Sequence, residues 1–187
     1  VVWPVLMLLA SRARDRRRAI TGLVVGLGLA SLIACLWNTK HSPVWAFYLL
    51  PTRAWELLAG AALALVGARV VRLPEQFRAA LGWAGLLGIL VASLVISDRT
   101  SFPGFAALLP VLSTVAVVAA GGAATRNGPL MLLRARPLQW VGQRSYAIYL
   151  WHWPVFVLTD AKWGPLNVPQ RIGAVSISGS LAAISYI

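Results

Sequence analysis

Cysteine occurs once in this chain, at Cys35, and histidine twice, at His41 and His152. A single thiol cannot build an internal disulfide framework, and one cysteine with two histidines cannot assemble the usual zinc sites, so no metal site is expected. Acidic residues are also scarce, five against seventeen lysines and arginines. Charged residues make up 12% of the 187, where ordinary soluble domains carry about 25%. There is no GxxxxGK loop, no HExxH and no GxSxG elbow, which leaves nucleotide hydrolysis, zinc proteolysis and a standard serine-hydrolase site without support. What fills the space is apolar: 59% of residues are hydrophobic and the mean hydropathy is +0.74. That balance excludes a soluble globular domain and a disordered chain alike.

Charges punctuate the sequence into seven apolar stretches. Five have the length of a complete membrane crossing: residues 19–37, 46–68, 79–97, 102–125 and 141–159. The leading run, residues 1–10, and the closing run from Ile172 read as cut halves of two further helices, so the chain is expected to be a fragment. The expected fold is all-α, a polytopic transmembrane bundle of about five complete and two truncated helices. Basic residues follow the first apolar run rather than precede it, which argues against a cleaved signal peptide.

Alternating crossings put successive loops on alternate sides, and the cationic residues test that segmentation. Loops one, three and five carry twelve lysines and arginines, loops two, four and six carry four, and Arg53 lies inside a span. This is the positive-inside signature; it assigns the basic loops to the cytoplasm and Lys40 and Lys162 to the outside. Topology therefore accounts for the net charge of +12, and nucleic-acid binding is not expected. Residues 11–18 suit contact with anionic lipid headgroups.

Within the spans, small residues recur: Gly22 and Gly26, Gly60 and Ala64, then Gly82, Gly85 and Gly88. Such residues let helix backbones approach closely in lipid, where no hydrophobic drive acts between helices. Trp37, Trp45, Tyr48, Trp140 and Trp163 fall near the expected interfaces. Cys35 reads as a small buried hydrophobe.

Three ionisable side chains sit where a bilayer makes them costly: Arg53, Glu56 and His152. A charge at a helix centre costs about 2.5–3.5 kcal/mol on insertion scales, so such groups are functional candidates by default. Arg53 and Glu56, three residues apart, share a helix face and can neutralise each other while the guanidinium keeps donors for an oxygen ligand. The competing reading is a buried ion pair pinning two helices, which is weak stabilisation once desolvation is counted. If one helix runs inward from Trp45, Arg53 lies roughly 12 Å deep. In the second constellation Ser145, Tyr149 and His152 share a face, and Pro154 is expected to kink or break the helix beside the histidine. A lone histidine is more often a satisfied core residue; two tyrosines and an in-helix proline beside it favour a site. Residues alone leave transport and group transfer both open.

At these motifs the chain resembles the acyltransferase 3 family, bacterial integral-membrane acyltransferases typified by O-antigen and peptidoglycan O-acetylases. Phe47-Tyr48, Arg53, Glu56 and Gly60 resemble its FY…RxxE…G helix, and Ser145-Tyr146, Tyr149-Leu150, His152 and Pro154 its SYxxYLxHxP helix. Trp3-Pro4 resembles the end of the helix after its WSLxxE motif, and Ser185-Tyr186 the start of its SYxxxExP ending. The resemblance implies that residues 1–187 are the C-terminal part of the family's membrane domain. It implies transfer of an acyl group, commonly acetyl, from cytoplasmic acyl-CoA to a hydroxyl of an extracytoplasmic glycan or related acceptor, in the bacterial inner membrane.

Under that resemblance Arg53, Glu56 and His152 are the expected catalytic residues. Arg53 would bind the developing oxyanion, Glu56 would hold Arg53 or orient a histidine, and His152 would bind the acceptor or relay a proton. Tyr149, Ser145 and Tyr146 are the expected substrate-binding residues. Arg134, Arg136 and Arg144 lie on the side where the phosphates of acetyl-CoA arrive, although positive-inside placement explains them equally. The family's first helix, with its catalytic histidine, has no counterpart here, so these 187 residues alone are expected to be inactive. The competing reading is a transporter or flippase for an envelope glycan precursor, since polar residues beside broken helices also describe carriers.

Overall fold

The structure, a computed structural model, describes residues 15–97, 100–121, 128–164 and 166–185. Among these residues there is helix and no strand. The chain divides into two compact units, residues 1–130 and 131–187.

In the first unit α1 (Arg16–His41) covers the span expected at 19–37 and extends it at both ends. Asp15 caps it, its carboxylate accepting from the Arg18 N–H at 3.2 Å and pairing with the Arg18 side chain. An acidic cap meets the positive end of the helix dipole there, and Lys40 and His41 meet the negative end.

The span expected at 46–68 is not one helix. A short α2 (Pro43–Tyr48) stops at Leu49, whose backbone is extended (φ −76°, ψ 129°), and α3 (Leu50–Val70) starts anew. Pro51 supplies the reason: in a continuous helix its ring would obstruct the Phe47 carbonyl, whereas in the first turn of a new helix its missing N–H costs nothing. Arg53 is consequently the fourth residue of α3, not the ninth of a helix running inward from Trp45.

Helix α4 (Glu75–Val95) follows. The span expected at 102–125 begins late, with a 3-10 turn at Phe105–Ala107 leading into α5 (Leu108–Gly121). Gly104 has φ +32°, a backbone that favours glycine, and donates its N–H to Thr39 Oγ1 at 3.1 Å, so the end of α1 anchors this loop. Helices α1, α3 and α4 are long and apolar enough to cross a membrane; α5 is a shorter apolar helix.

Packing sorts the glycines. A Cβ on Gly82 would meet Pro129 and Ala120 at 2.8–2.9 Å, one on Gly85 the Ser113 carbonyl at 2.6 Å, and one on Gly88 the Ser113 hydroxyl. These three glycines form the α4–α5 seam. Among the described residues an added Cβ on Gly22, Gly26 or Gly60 meets nothing within 4 Å, so no close approach of the described helices depends on them. Cys35 is fully buried in a cluster with Trp55 and Ala107, as a small hydrophobe should be.

In the second unit a single turn, α6 (Leu130–Leu133), which starts at the boundary, precedes α7 (Arg136–Trp163) and α8 (Val168–Ser185). Pro154 does not break α7, which is continuous across it. One proline removes one i to i−4 bond, and the flanking turns of a 28-residue helix keep theirs. α7 has the length of a membrane crossing, but Gln143, Arg144, Ser145 and His152 dilute its apolar character, and it is not among the three that qualify. α8 buries Ala174, Ser178 and Ala182, a stripe of small residues at four-residue spacing, and Trp151 of α7 donates its indole N–H to Ser185 Oγ at 3.0 Å. The leading apolar run with Trp3-Pro4, and Tyr186, lie outside the described residues.

Candidate functional site

Arg53 and Glu56 form a two-pronged ion pair in the first unit, Nε to Oε1 and Nη2 to Oε2, each 3.1 Å. This parallel arrangement is the strong form of the interaction and occupies both carboxylate oxygens. It leaves Nη1 of the guanidinium for a ligand, while the Phe47 ring lies 5.3 Å from the guanidinium carbon. The Arg53 side chain is 37% exposed and that of Glu56 22%, so the pair is half-buried and reachable. A cation in the first turn of a helix is opposed by the dipole, and Glu56 offsets that cost.

The pair lines a hollow of about 390 Å³ between α3 and α5. Gly60 and Leu63 continue the α3 wall; Phe102, Pro110, Thr114 and neighbouring valines form the other. The Thr114 hydroxyl is spent on the Pro110 carbonyl at 2.7 Å, so the polar chemistry of the hollow belongs to Arg53 and Glu56. At Gly60 a side chain would project into open space, and its absence keeps the hollow wide.

Two hydroxyls that the sequence reading passed over set the turn that carries Arg53. Thr52, 2% exposed, donates to the Ala46 and Leu49 carbonyls at 2.8 and 2.7 Å and so ties the end of α2 to the start of α3. Ser31 of α1 bonds the same turn from outside. The signal was present, since each is a lone hydroxyl within an apolar run, but hydroxyls in helices are common and their partners are invisible without the fold.

In the second unit Tyr149 and His152 stack at a tilt, ring centroids 5.4 Å apart. Nδ1 of His152 lies 2.5 Å from the Tyr149 carbonyl. A carbonyl only accepts, so in this contact Nδ1 is the donor, and Nε2 lies outside it. Ser145 and Tyr146 stand one to two turns earlier on the same helix. Arg144 lies over the Trp140 ring at 4.7 Å, Arg136 opens α7, and Arg134 precedes it. Of the expected site residues, then, the fold joins Arg53 with Glu56 in one unit and carries Tyr149, His152, Ser145, Tyr146 and the three arginines in the other. Among the described residues no group of three His, Cys, Asp or Glu comes together at metal-binding spacing.

An apolar chain whose described elements are all helical, with a forked ion pair on the wall of a hollow, defines a class of membrane protein but not yet a chemistry. Comparison with known proteins supplies the family: the model of an acyltransferase domain matches residues 1–187, and the chain belongs to that family. It is 32% identical over 199 residues to the peptidoglycan O-acetyltransferase OatA of Listeria monocytogenes, an alignment that takes in the whole chain and 32% of the relative. It is 31% identical to YrhL of Bacillus subtilis, over 85% of the chain and 26% of the relative, and 26% identical to BcsY of Komagataeibacter xylinus, over 98% and 45%. The chain therefore spans about a third or less of the length of the first two. No solved structure matches.

Proposed function

We propose that the full-length protein transfers an acyl group, acetyl in the first instance, from cytoplasmic acyl-CoA to a hydroxyl of an extracytoplasmic glycan, in the bacterial inner membrane. The carrying observation is the Arg53–Glu56 fork on the wall of an otherwise apolar hollow, in a chain whose family is acyltransferase. In this reading the acceptor oxygen attacks the thioester carbonyl, the new C–O bond forms, and the C–S bond breaks. Negative charge gathers on the carbonyl oxygen, and Nη1 of Arg53 meets it, helped by the positive end of α3. Glu56 keeps the guanidinium in plane and in place. Nε2 of His152 takes the hydroxyl proton, directly or through a relay, and the proton leaves with the CoA thiol. Tyr149, Ser145 and Tyr146 contact the acceptor, and Arg134, Arg136 and Arg144 meet the CoA phosphates.

Membranes carrying the full-length protein, given radiolabelled acetyl-CoA and peptidoglycan precursors, should yield labelled glycan. A carrier moves its substrate unchanged, so glycan that crosses vesicles without acquiring label would replace the enzymatic reading with transport.

A further inference from the structure

The hydroxyl of Ser31 behaves unlike the other two hydroxyls of α1. Thr21 and Thr39 donate to carbonyls of their own helix, Arg17 and Cys35, each at 2.8 Å, the ordinary habit of helical Ser and Thr. Ser31, 7% exposed, donates instead to the Pro51 carbonyl of α3 at 2.5 Å and accepts the Trp55 N–H at 2.9 Å. Those two backbone groups are residues i and i+4 of one helical turn, the pair that an undisturbed α-helix bonds to each other. A neighbouring helix has thus placed a hydroxyl at the bond that closes the turn. Arg53 stands midway between the two bonded residues. One turn earlier in α1, Gly28 faces Leu58 of α3, where an added Cβ would lie at an ordinary 3.6 Å.

From this geometry we infer that Ser31 is a positioning residue for Arg53. Its hydroxyl holds the first turn of α3 from outside, and with it the direction in which the guanidinium meets an oxygen ligand. The backbone does not need Ser31 for satisfaction, since without the hydroxyl the Pro51 carbonyl and the Trp55 N–H have each other. What changes is the pitch of the turn, and Arg53 moves with it. The inference rests on Arg53 acting in acyl transfer as proposed above.

The test is a kinetic split with a conservative rescue, in full-length protein. Ser31→Ala should lower kcat on the order of tenfold, with KM and the amount of protein in the membrane each held within about twofold, the effect of a small misplacement at a reacting centre. Ser31→Thr, which keeps the hydroxyl, should recover most of that loss. The inference is overturned if Ser31→Ala turns over like wild type, if Thr and Ala are equally impaired, or if activity falls only in proportion to protein amount. Arg53→Ala, run alongside, separates the two claims. Full activity there sinks the proposed function itself, whereas an inactive Arg53→Ala beside a normal Ser31→Ala sinks only the role of Ser31.

Discussion

Helices α3 and α7 each carry a polar group in an apolar setting, and they hold it by different means. Arg53 is held by a carboxylate one turn away, by an aromatic ring from the preceding helix, and by a turn that α1 reaches across to bond. His152 is held by its own helix, through the carbonyl and the ring of Tyr149. The first arrangement combines a local pair with contacts that depend on how helices pack; the second comes with the local sequence. A guanidinium aimed by several neighbours is pre-organised for one direction of approach, whereas an imidazole tied at Nδ1 is oriented by a single local contact.

The sharpest way to break this contrast is to change Arg53. Arg53→Ala should lower acyl transfer by about 10²–10³ at unchanged membrane abundance, as loss of an oxyanion donor does. Arg53→Lys should recover little of it, because an ammonium cannot reproduce the fork on Glu56. Radiolabel incorporated per milligram of membrane protein reads both, and a Lys variant as active as wild type would mean that charge alone matters and aim does not.

For the other side of the contrast, His152→Ala should lower transfer by about 10²-fold, the loss expected when a proton relay is removed. Tyr149→Phe should cost far less, since the bond to His152 comes from the Tyr149 backbone and survives the change. Assaying the two variants together decides it: equal losses would show that the phenol contributes as much to the chemistry as the imidazole.

Smallest are the effects on packing. Gly85→Ala forces a methyl to within 2.6 Å of the Ser113 carbonyl and should destabilise the first unit by about 1–3 kcal/mol. Gly22→Ala meets open space and should leave stability within about 0.5 kcal/mol. Thermal unfolding in detergent distinguishes them, and matched Tm values would show that the α4–α5 seam gives way without cost.

Much of this was legible beforehand. Helices α1, α3 and α4 follow from apolar run length, the Arg53–Glu56 pair from a spacing of three on a helix, and the burial of Cys35 from its uncharged surroundings. The break at Leu49 was also written in the chain, at Pro51, but a count of apolar residues does not register where a proline falls. Pro154, by contrast, leaves α7 unbroken. The two prolines have the same chemistry, and the difference is where each falls relative to a helix start. GxxxG spacing at Gly22 and Gly26 promised a helix contact that the described packing does not use, while the seam formed at Gly82, Gly85 and Gly88.

The sequence by itself determined what is local: which stretches are helical and apolar, and that Arg53 and Glu56 pair, because partners within one turn find each other whatever surrounds them. Only the tertiary structure decided that Ser31 holds the turn beneath Arg53, that Thr39 anchors the loop at Gly104, and that α5 closes the far wall of the hollow. Those contacts join residues 20 to 65 positions apart, and such distances are set by how whole helices pack, which no single stretch of sequence encodes.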